Sequence, residues 1–254
     1  MDSIFFKMVS SGSKGNCTLI WDSSDLLIID FGISVKRFLD STSPFNIPRQ
    51  SQSLFISHEH RDHCQGARSL IKKVPVDIYS RKGTIRAMGL DDAYTIGEST
   101  TIGNFNVESI DVSHDATEPV GYVIQNGERK ISVISDLGKV NSNLIDATKG
   151  SDILAFEANH DTEMLKTGKY PYYLKKRILG ESGHLSNEQS AEAISMITSP
   201  ETQIFLTHIS QENNRPEIAL NTVKSFLDNR NISYGSILCS YQDTGTPLIE
   251  LRRH

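Results

Sequence analysis

Apolar runs of three to eight residues, separated by short clusters of glycine, serine, asparagine and charge, recur along the whole chain. Runs of this length between turn residues predict strands: Ile4–Val9, Cys17–Trp21, Leu26–Ile29, Leu54–Ser57, Val76–Ser80, Phe105–Val112, Val120–Gln125, Lys130–Ser135, Ile153–Glu157, Gln203–Thr207, Ile237–Cys239 and Leu248–Leu251. Ser10-Ser11-Gly12-Ser13-Lys14-Gly15 reads as a turn, and Asn126-Gly127 as a hairpin loop. Helical spacing marks Ile33–Leu39, Gly66–Lys73, a segment near Thr84–Met88, and Leu144–Thr148. Ser186 with Gln189 forms a capping box opening a helix through Ile197, and Pro216 suits the first turn of a helix through Leu227. A strand-rich first half with interspersed helices, then the same mixture again, predicts two packed sheets with helices outside. There is no internal repeat, low-complexity tract or long linker, so residues 1–254 read as a single domain.

The bulk numbers exclude more than they identify. At 254 residues the chain can bury a substantial core. No apolar run approaches the ~20 residues that cross a bilayer, and Met-Asp-Ser-Ile-Phe-Phe-Lys carries no secretory signal. Cys17, Cys64 and Cys239 are odd in number and widely spaced, as expected of reduced thiols in a cytoplasmic protein. A net charge of −5 argues against generic charge-driven nucleic-acid binding. It leaves a nuclease open, because bound divalent cations supply positive charge where phosphate sits.

The densest chemistry lies in Leu54-Phe-Ile-Ser-His-Glu-His-Arg-Asp-His63, where an apolar run ends in His58, His60, Asp62 and His63. Three imidazoles and a carboxylate this close are poor packing material, since each needs a partner when buried. They are ordinary ligands for divalent metals. If the segment continues as extended chain, His58, His60 and Asp62 point to one side and His63 turns toward a second centre. That pattern implies two cations. Of the eight histidines, His58, His60, His63, His114, His160, His184 and His208 follow or adjoin strand-like runs, and only His254 does not. Loops at strand ends can converge on one rim of a sheet.

The series Asp30, His58-x-His60-x-Asp62-His63, His114, Asp136 and His208 resembles the five-motif signature of the metallo-β-lactamase fold. The resemblance implies an α/β chain folded as a four-layer αββα sandwich with a dinuclear metal site on one edge. It implies His58, His60 and His114 on one metal, Asp62, His63 and His208 on the other, Asp136 bridging, and Asp30 supporting the ligand loop. A bridging carboxylate holds two cations about 3.5–4 Å apart, and water between them becomes a hydroxide nucleophile. The ligand set suits zinc, manganese or iron.

Gly183-His184-Leu185-Ser186 resembles the Gly-His-Ser-Thr element of the phosphodiesterase branch, seen in tRNA 3′-processing enzymes, with leucine in place of the first hydroxyl residue. That likeness implies a catalytic His184 acting on the scissile phosphate and leaving oxygen, alongside Asp136. Ser11–Asn16, His114–Pro119, Glu157–Asp161, Gly168–Pro171, Gly183–Asn187 and Asn213–Pro216 together look like the bacterial YycJ/WalJ group. The group implies a metal-dependent 5′→3′ exonuclease acting on DNA. Residues 137–207 are too few for an inserted cap domain, so the chain reads as a compact nuclease. The basic, aromatic stretch Lys166–Arg177 is the candidate strand-guiding surface, with Lys169, Tyr170, Lys175, Lys176 and Arg177 contacting phosphates and bases; a solvated loop with tyrosines covering core is the alternative. Asn16 and His160 are candidate pocket residues, and Lys14, Arg81 and Lys82 are weaker candidates for phosphate contacts. A small-molecule, cyclic-phosphodiesterase activity on the same fold is the competing function.

Overall fold

Alternation along the apolar strands decides which layer each side chain enters. The computed structural model describes residues 3–48 and 51–252; His254 lies outside them. The first sheet contains β1 (Ser3–Ser10), β2 (Cys17–Trp21), β3 (Leu26–Ile29), β4 (Gln52–Phe55), β5 (Asp77–Ser80) and β6 (Tyr94–Thr95). The second contains β7 (Ser99–Ile102), β8 (Phe105–Asp111), β9 (Val120–Asn126), β10 (Arg129–Ile134), β11 (Ile153–Glu157), β12 (Gln203–Thr207) and β13 (Ser236–Cys239). The chain then returns as β14 (Ile249–Arg252) to pair antiparallel with β1 at the edge of the first sheet.

Leu27 and Ile29 of β3, Ile153 and Ala155 of β11, and Phe205 of β12 face the other sheet, where they meet Phe6, Phe55, Phe105 and Tyr122. The intervening residues face outward beneath helices. Leu26 and Ile28 pack under α1 (Val35–Thr42), and Leu154, Phe156, Ile204 and Leu206 face α8 and α9, described below. Strands buried on both faces read as continuous apolar runs rather than alternating ones. Full burial of each such side chain contributes about 1.5–3 kcal/mol.

The remaining helices are α2 (Arg61–Cys64), α3 (Ala67–Leu70), α4 (Lys82–Met88), α5 (Ser142–Thr148), α6 (Thr162–Thr167), α7 (Tyr172–Ile178), α8 (Asn187–Ile197) and α9 (Pro216–Asp228). The predicted αββα sandwich is thus the observed one. The capping box forms as expected: Ser186 Oγ accepts from Gln189 N, and Gln189 Oε1 accepts from Ser186 N.

Three local expectations change. The helix expected from Ile33 begins at Val35, because Ser34 Oγ accepts from Arg37 N and fixes the N-cap there. Lys166–Arg177, for which a solvated loop was the alternative to a strand-guiding surface, is the end of α6 and most of α7, joined at Gly168–Pro171. The short strands β6 and β7 have little apolar signal and were not expected. Among the described residues no helix is long and apolar enough to cross a membrane.

The ladders place the site. β10, β11 and β12 run parallel, with Ile134, Phe156 and Leu206 in register, and β3 runs parallel to β4 with Ile29 beside Phe55. Their C-terminal ends open on one edge of the sandwich. Tyr122 Oη donates to Ile56 O (2.8 Å) and Val120 N to Ser57 O (3.1 Å), locking the first sheet's edge to the second's.

Candidate active site

Every candidate ligand sits just beyond a strand at that edge. Asp30 follows β3, His58 follows β4, His114 follows β8, Asp136 follows β10 and His208 follows β12. Asp30, Asp136 and His208 have φ of 60°, 56° and 51°, in the left-handed region that non-glycine residues rarely occupy. Only four non-glycine residues among those described do so, and three are here. Such strain persists where the surrounding structure holds it, characteristically at functional sites.

The chain does not stay extended through the cluster. His60 is the N-cap of α2, and Asp62 and His63 lie on that helical turn. The expectation that Asp62 shares a side with His58 and His60 is therefore corrected. The turn swings it over to His63 and His208. Ligand atoms of His58, His60 and His114 lie within 4.8 Å of one another, as do those of Asp62, His63 and His208. Asp136 stands between the two sets, its Oδ2 3.0 Å from His63 Nε2 and its Oδ1 3.9 Å from His114 Nε2. The structure thus brings together the residues of each triad that the resemblance implies.

The surrounding hydrogen bonds choose the imidazole tautomers. Asp30 Oδ2 accepts from His63 Nδ1 (2.7 Å), and the carboxylate is itself held by Ser57 N and Oγ. Gly183 O accepts from His114 Nδ1 (3.1 Å). Glu157 Oε1 accepts from both His184 Nδ1 (2.7 Å) and His208 Nδ1 (3.1 Å). With Nδ1–H bound to oxygen, His63, His114 and His208 turn Nε2 toward the centre, the nitrogen that ligates metal once it carries no proton.

Charge balance agrees. Burial alone would raise the Asp136 carboxyl, but His208 and His63 hold it well below the usual range. Burial and the neighbouring His63 push His58 well below the ordinary histidine value, and burial lowers His114. Burial alone would lower His63 and His208, but Asp136 and the neighbouring acids raise both well above the ordinary value, so a divalent cation would take the place of the protons they hold beside Asp136. His58 Nε2 is buried without a hydrogen-bond partner among the described residues, while its Nδ1 faces Ser57 Oγ at 3.0 Å. A cation among these donors would satisfy that orphaned nitrogen. The residues present therefore fit divalent metal.

Glu157 is the functional residue that sequence reasoning missed. It is 0% exposed, and its second oxygen accepts from Leu137 N and Leu185 N (3.1 and 3.3 Å). Both oxygens are thus engaged, and Glu157 holds His184 and His208, with which, together with Asp136, its ligand atoms lie within 4.8 Å. Burial alone would raise its pKa, but His184 and His208 hold it at about 2. An acid closing the apolar run Ile153–Phe156 was the available signal.

The other sequence candidates divide. Asn16 touches the ligands: Gly12 N fixes its Oδ1, so its Nδ2 lies 3.0 Å from His63 Nε2 and 3.3 Å from Asp62 Oδ2. His184 stands at the rim, its Nδ1 2.7 Å from Glu157 and 3.7 Å from Asp136. His160 is corrected as a pocket residue, because it is 1% exposed and both ring nitrogens are buried without partners among the described residues. Arg177 is also corrected, since its guanidinium grips Asp115, beside His114, with two bonds (2.5 and 3.0 Å). Lys175 Nζ donates to Lys166 O, whereas Lys169 and Lys176 are exposed and Tyr170 is half-buried. Arg81 pairs with Asp111, Lys82 is exposed, and Cys64 donates to Glu59 O as a bystander thiol.

Comparisons with known proteins fit this geometry. A model of the β-lactamase superfamily domain matches residues 27–209, from just before Asp30 to just past His208. The chain is 34% identical over 244 residues to exodeoxyribonuclease YycJ of Bacillus anthracis, covering 91% of this chain and 92% of that protein. It is likewise 34% identical over 269 residues to exodeoxyribonuclease WalJ of Streptococcus pneumoniae, covering 99% and 100%. The metallo-β-lactamase fold protein YhfI from Bacillus subtilis superposes with a TM-score of 0.73 at 14% identity, covering 98% of this chain and 100% of its own.

Proposed function

This chain belongs to the β-lactamase superfamily, and from that membership we propose that it is a two-cation exonuclease that degrades DNA in the 5′→3′ direction. The observation that carries the reading is the 34% identity, over nearly the whole chain, to two exodeoxyribonucleases. A triad of imidazoles and a second of two imidazoles and an acid, with Asp136 between them, would supply the centre such chemistry needs.

His58, His60 and His114 would hold one cation, Asp62, His63 and His208 the other, and Asp136 both. Zinc, manganese and iron suit these donors. Held there, divalent cations would supply the acidity that makes water a nucleophile and the charge that offsets what develops on a phosphate under attack. The protein's own groups do the rest. Glu157 holds His184 by its Nδ1, leaving Nε2 at the rim to donate a hydrogen bond or proton to the phosphate or the departing oxygen. Asp30 and Ser57 keep the His63 ring from rotating, so the donor set is formed in advance of binding.

The test is a time course on DNA and RNA oligonucleotides labelled at the 5′ or 3′ end, with Mn²⁺ or Zn²⁺ and with chelator. Immediate release of labelled mononucleotide from 5′-labelled DNA, only with metal, is expected. Cleavage of a small cyclic or aryl phosphodiester with no cleavage of any oligonucleotide would refute the exonuclease reading in favour of a small-molecule phosphodiesterase.

A further inference from the structure

Five basic side chains, Lys14, Lys36, Arg37, Arg61 and Lys73, line a concavity of about 730 Å³ behind the Asp62–His63 turn of this acidic chain. No carboxylate lines it, and none of the five cations makes an ion pair among the described residues. Arg37 has a structural task, donating to Val9 O and Gln242 O. Lys14, Lys36, Arg61 and Lys73 are exposed, with no such task. Five like charges converging on one hollow repel each other, a cost that a bound polyanion relieves.

A single layer of backbone separates this hollow from the metal-ligating groups. Asn16 N donates to Asp62 O (2.7 Å), Gly32 N to Asn16 O (2.8 Å) and Phe31 N to His63 O (2.7 Å). Gln65 Nε2 closes the wall on Gly32 O (2.6 Å). A side chain on Gly32 would collide with the Asp62 carbonyl, so the loop and the ligand turn pack in direct backbone contact. The first turn of α1, capped by Ser34, lines the same hollow and adds its helix-end positive potential.

We propose that this concavity binds backbone phosphates of the DNA strand being cut, on the Asp62–His63 side of the centre. The inference deepens the exonuclease reading and rests on it. It also relocates strand guidance from Lys166–Arg177, whose Arg177 and Lys175 are already bonded within the protein, to residues far apart in sequence.

The experiment measures binding of a fluorescein-labelled single-stranded oligonucleotide by anisotropy across a salt series, with EDTA present to prevent cleavage. The variants are the triple Lys14→Ser, Lys36→Ser, Lys73→Ser and a control, Lys224→Ser, an exposed lysine on α9. Each phosphate contact contributes about 0.7 to the salt dependence for single strands, so the triple variant should lose about 2 from the slope. The control should match the wild type. A wild-type slope in the triple variant, with DNA still degraded, overturns the pocket and leaves the exonuclease reading intact. A reduced slope in a protein that degrades no oligonucleotide keeps the pocket as a polyanion site and overturns the exonuclease reading.

Discussion

Replacing Glu157 with glutamine tests whether the buried carboxylate sets the chemical state of the histidines around it. The change preserves volume and turns one acceptor oxygen into an NH2 donor. Oε2 faces Leu137 N and Leu185 N, which cannot rotate, so the amide oxygen must stay there. The NH2 then meets His184 Nδ1 and His208 Nδ1. Two donors cannot share a bond, so His208 must shift its proton to Nε2, which lies 3.4 Å from Asp62 and loses its ligating lone pair. Losing a partner that orients a ligand typically weakens metal binding 10–100-fold, equivalent to about 1.4–2.8 kcal/mol. Two charge-assisted bonds also become neutral, each worth about 1.5–3 kcal/mol at most, so the unfolding midpoint in urea should fall as well. Metal affinity by chelator competition and kcat/KM on an oligonucleotide would be read together on protein whose circular dichroism matches wild type. A folded Glu157→Gln protein with wild-type metal affinity and kcat/KM would refute the tautomer argument.

Other outcomes follow from the same geometry. Asp30→Asn, which removes the acceptor for His63 Nδ1, should weaken metal binding by about 10–100-fold with little change in KM for DNA; dialysis against graded chelator measures it. Asp136→Ala should abolish turnover by disrupting both triads, and full activity in that variant would contradict the centre proposed here. Asp22 is buried, and although burial alone would raise its pKa, bonds from Ser24 N, Asp25 N, Asn104 and Asn126 hold it below the usual carboxylate value. Its stabilisation is therefore complete above the unfolded value near 3.9 and is lost as pH falls through the lower folded value. Asp22→Asn should cost about 1–3 kcal/mol at pH 7 in urea unfolding, and less at about pH 3. Burial pushes the Cys64 thiol up to about 11, Cys239 up to about 12, and raises Cys17 as well; a disulfide reagent at pH 8 should titrate no thiol in the native protein and all three after unfolding.

The metal cluster was legible because its chemistry is local. His58, His60, Asp62 and His63 fall within six residues after an apolar run, and no folding knowledge is needed to see that such donors are poor core material. The strands were legible for a related reason. Chains buried on both faces must be apolar without interruption, so β3, β11 and β12 announce themselves in composition. Which donors lie together was not legible from spacing. A helical turn at Arg61–Cys64 breaks the alternation that spacing assumes, and only the family resemblance grouped Asp62 with His63 and His208.

What the tertiary structure alone decided is everything that depends on partners distant along the chain. Glu157 is one acid at the end of a strand until Leu137, His184, Leu185 and His208 converge on it from three other segments. Arg177 looks like a phosphate contact until Asp115 is found against it. Lys36, Arg61 and Lys73 are scattered surface charges until two helices and two loops gather them with Lys14 around one hollow. Sequence determines which chemical groups exist and which faces must be buried. Hydrogen bonds and ion pairs act over a few ångströms, so only folding, which sets those distances, decides what each group is free to do.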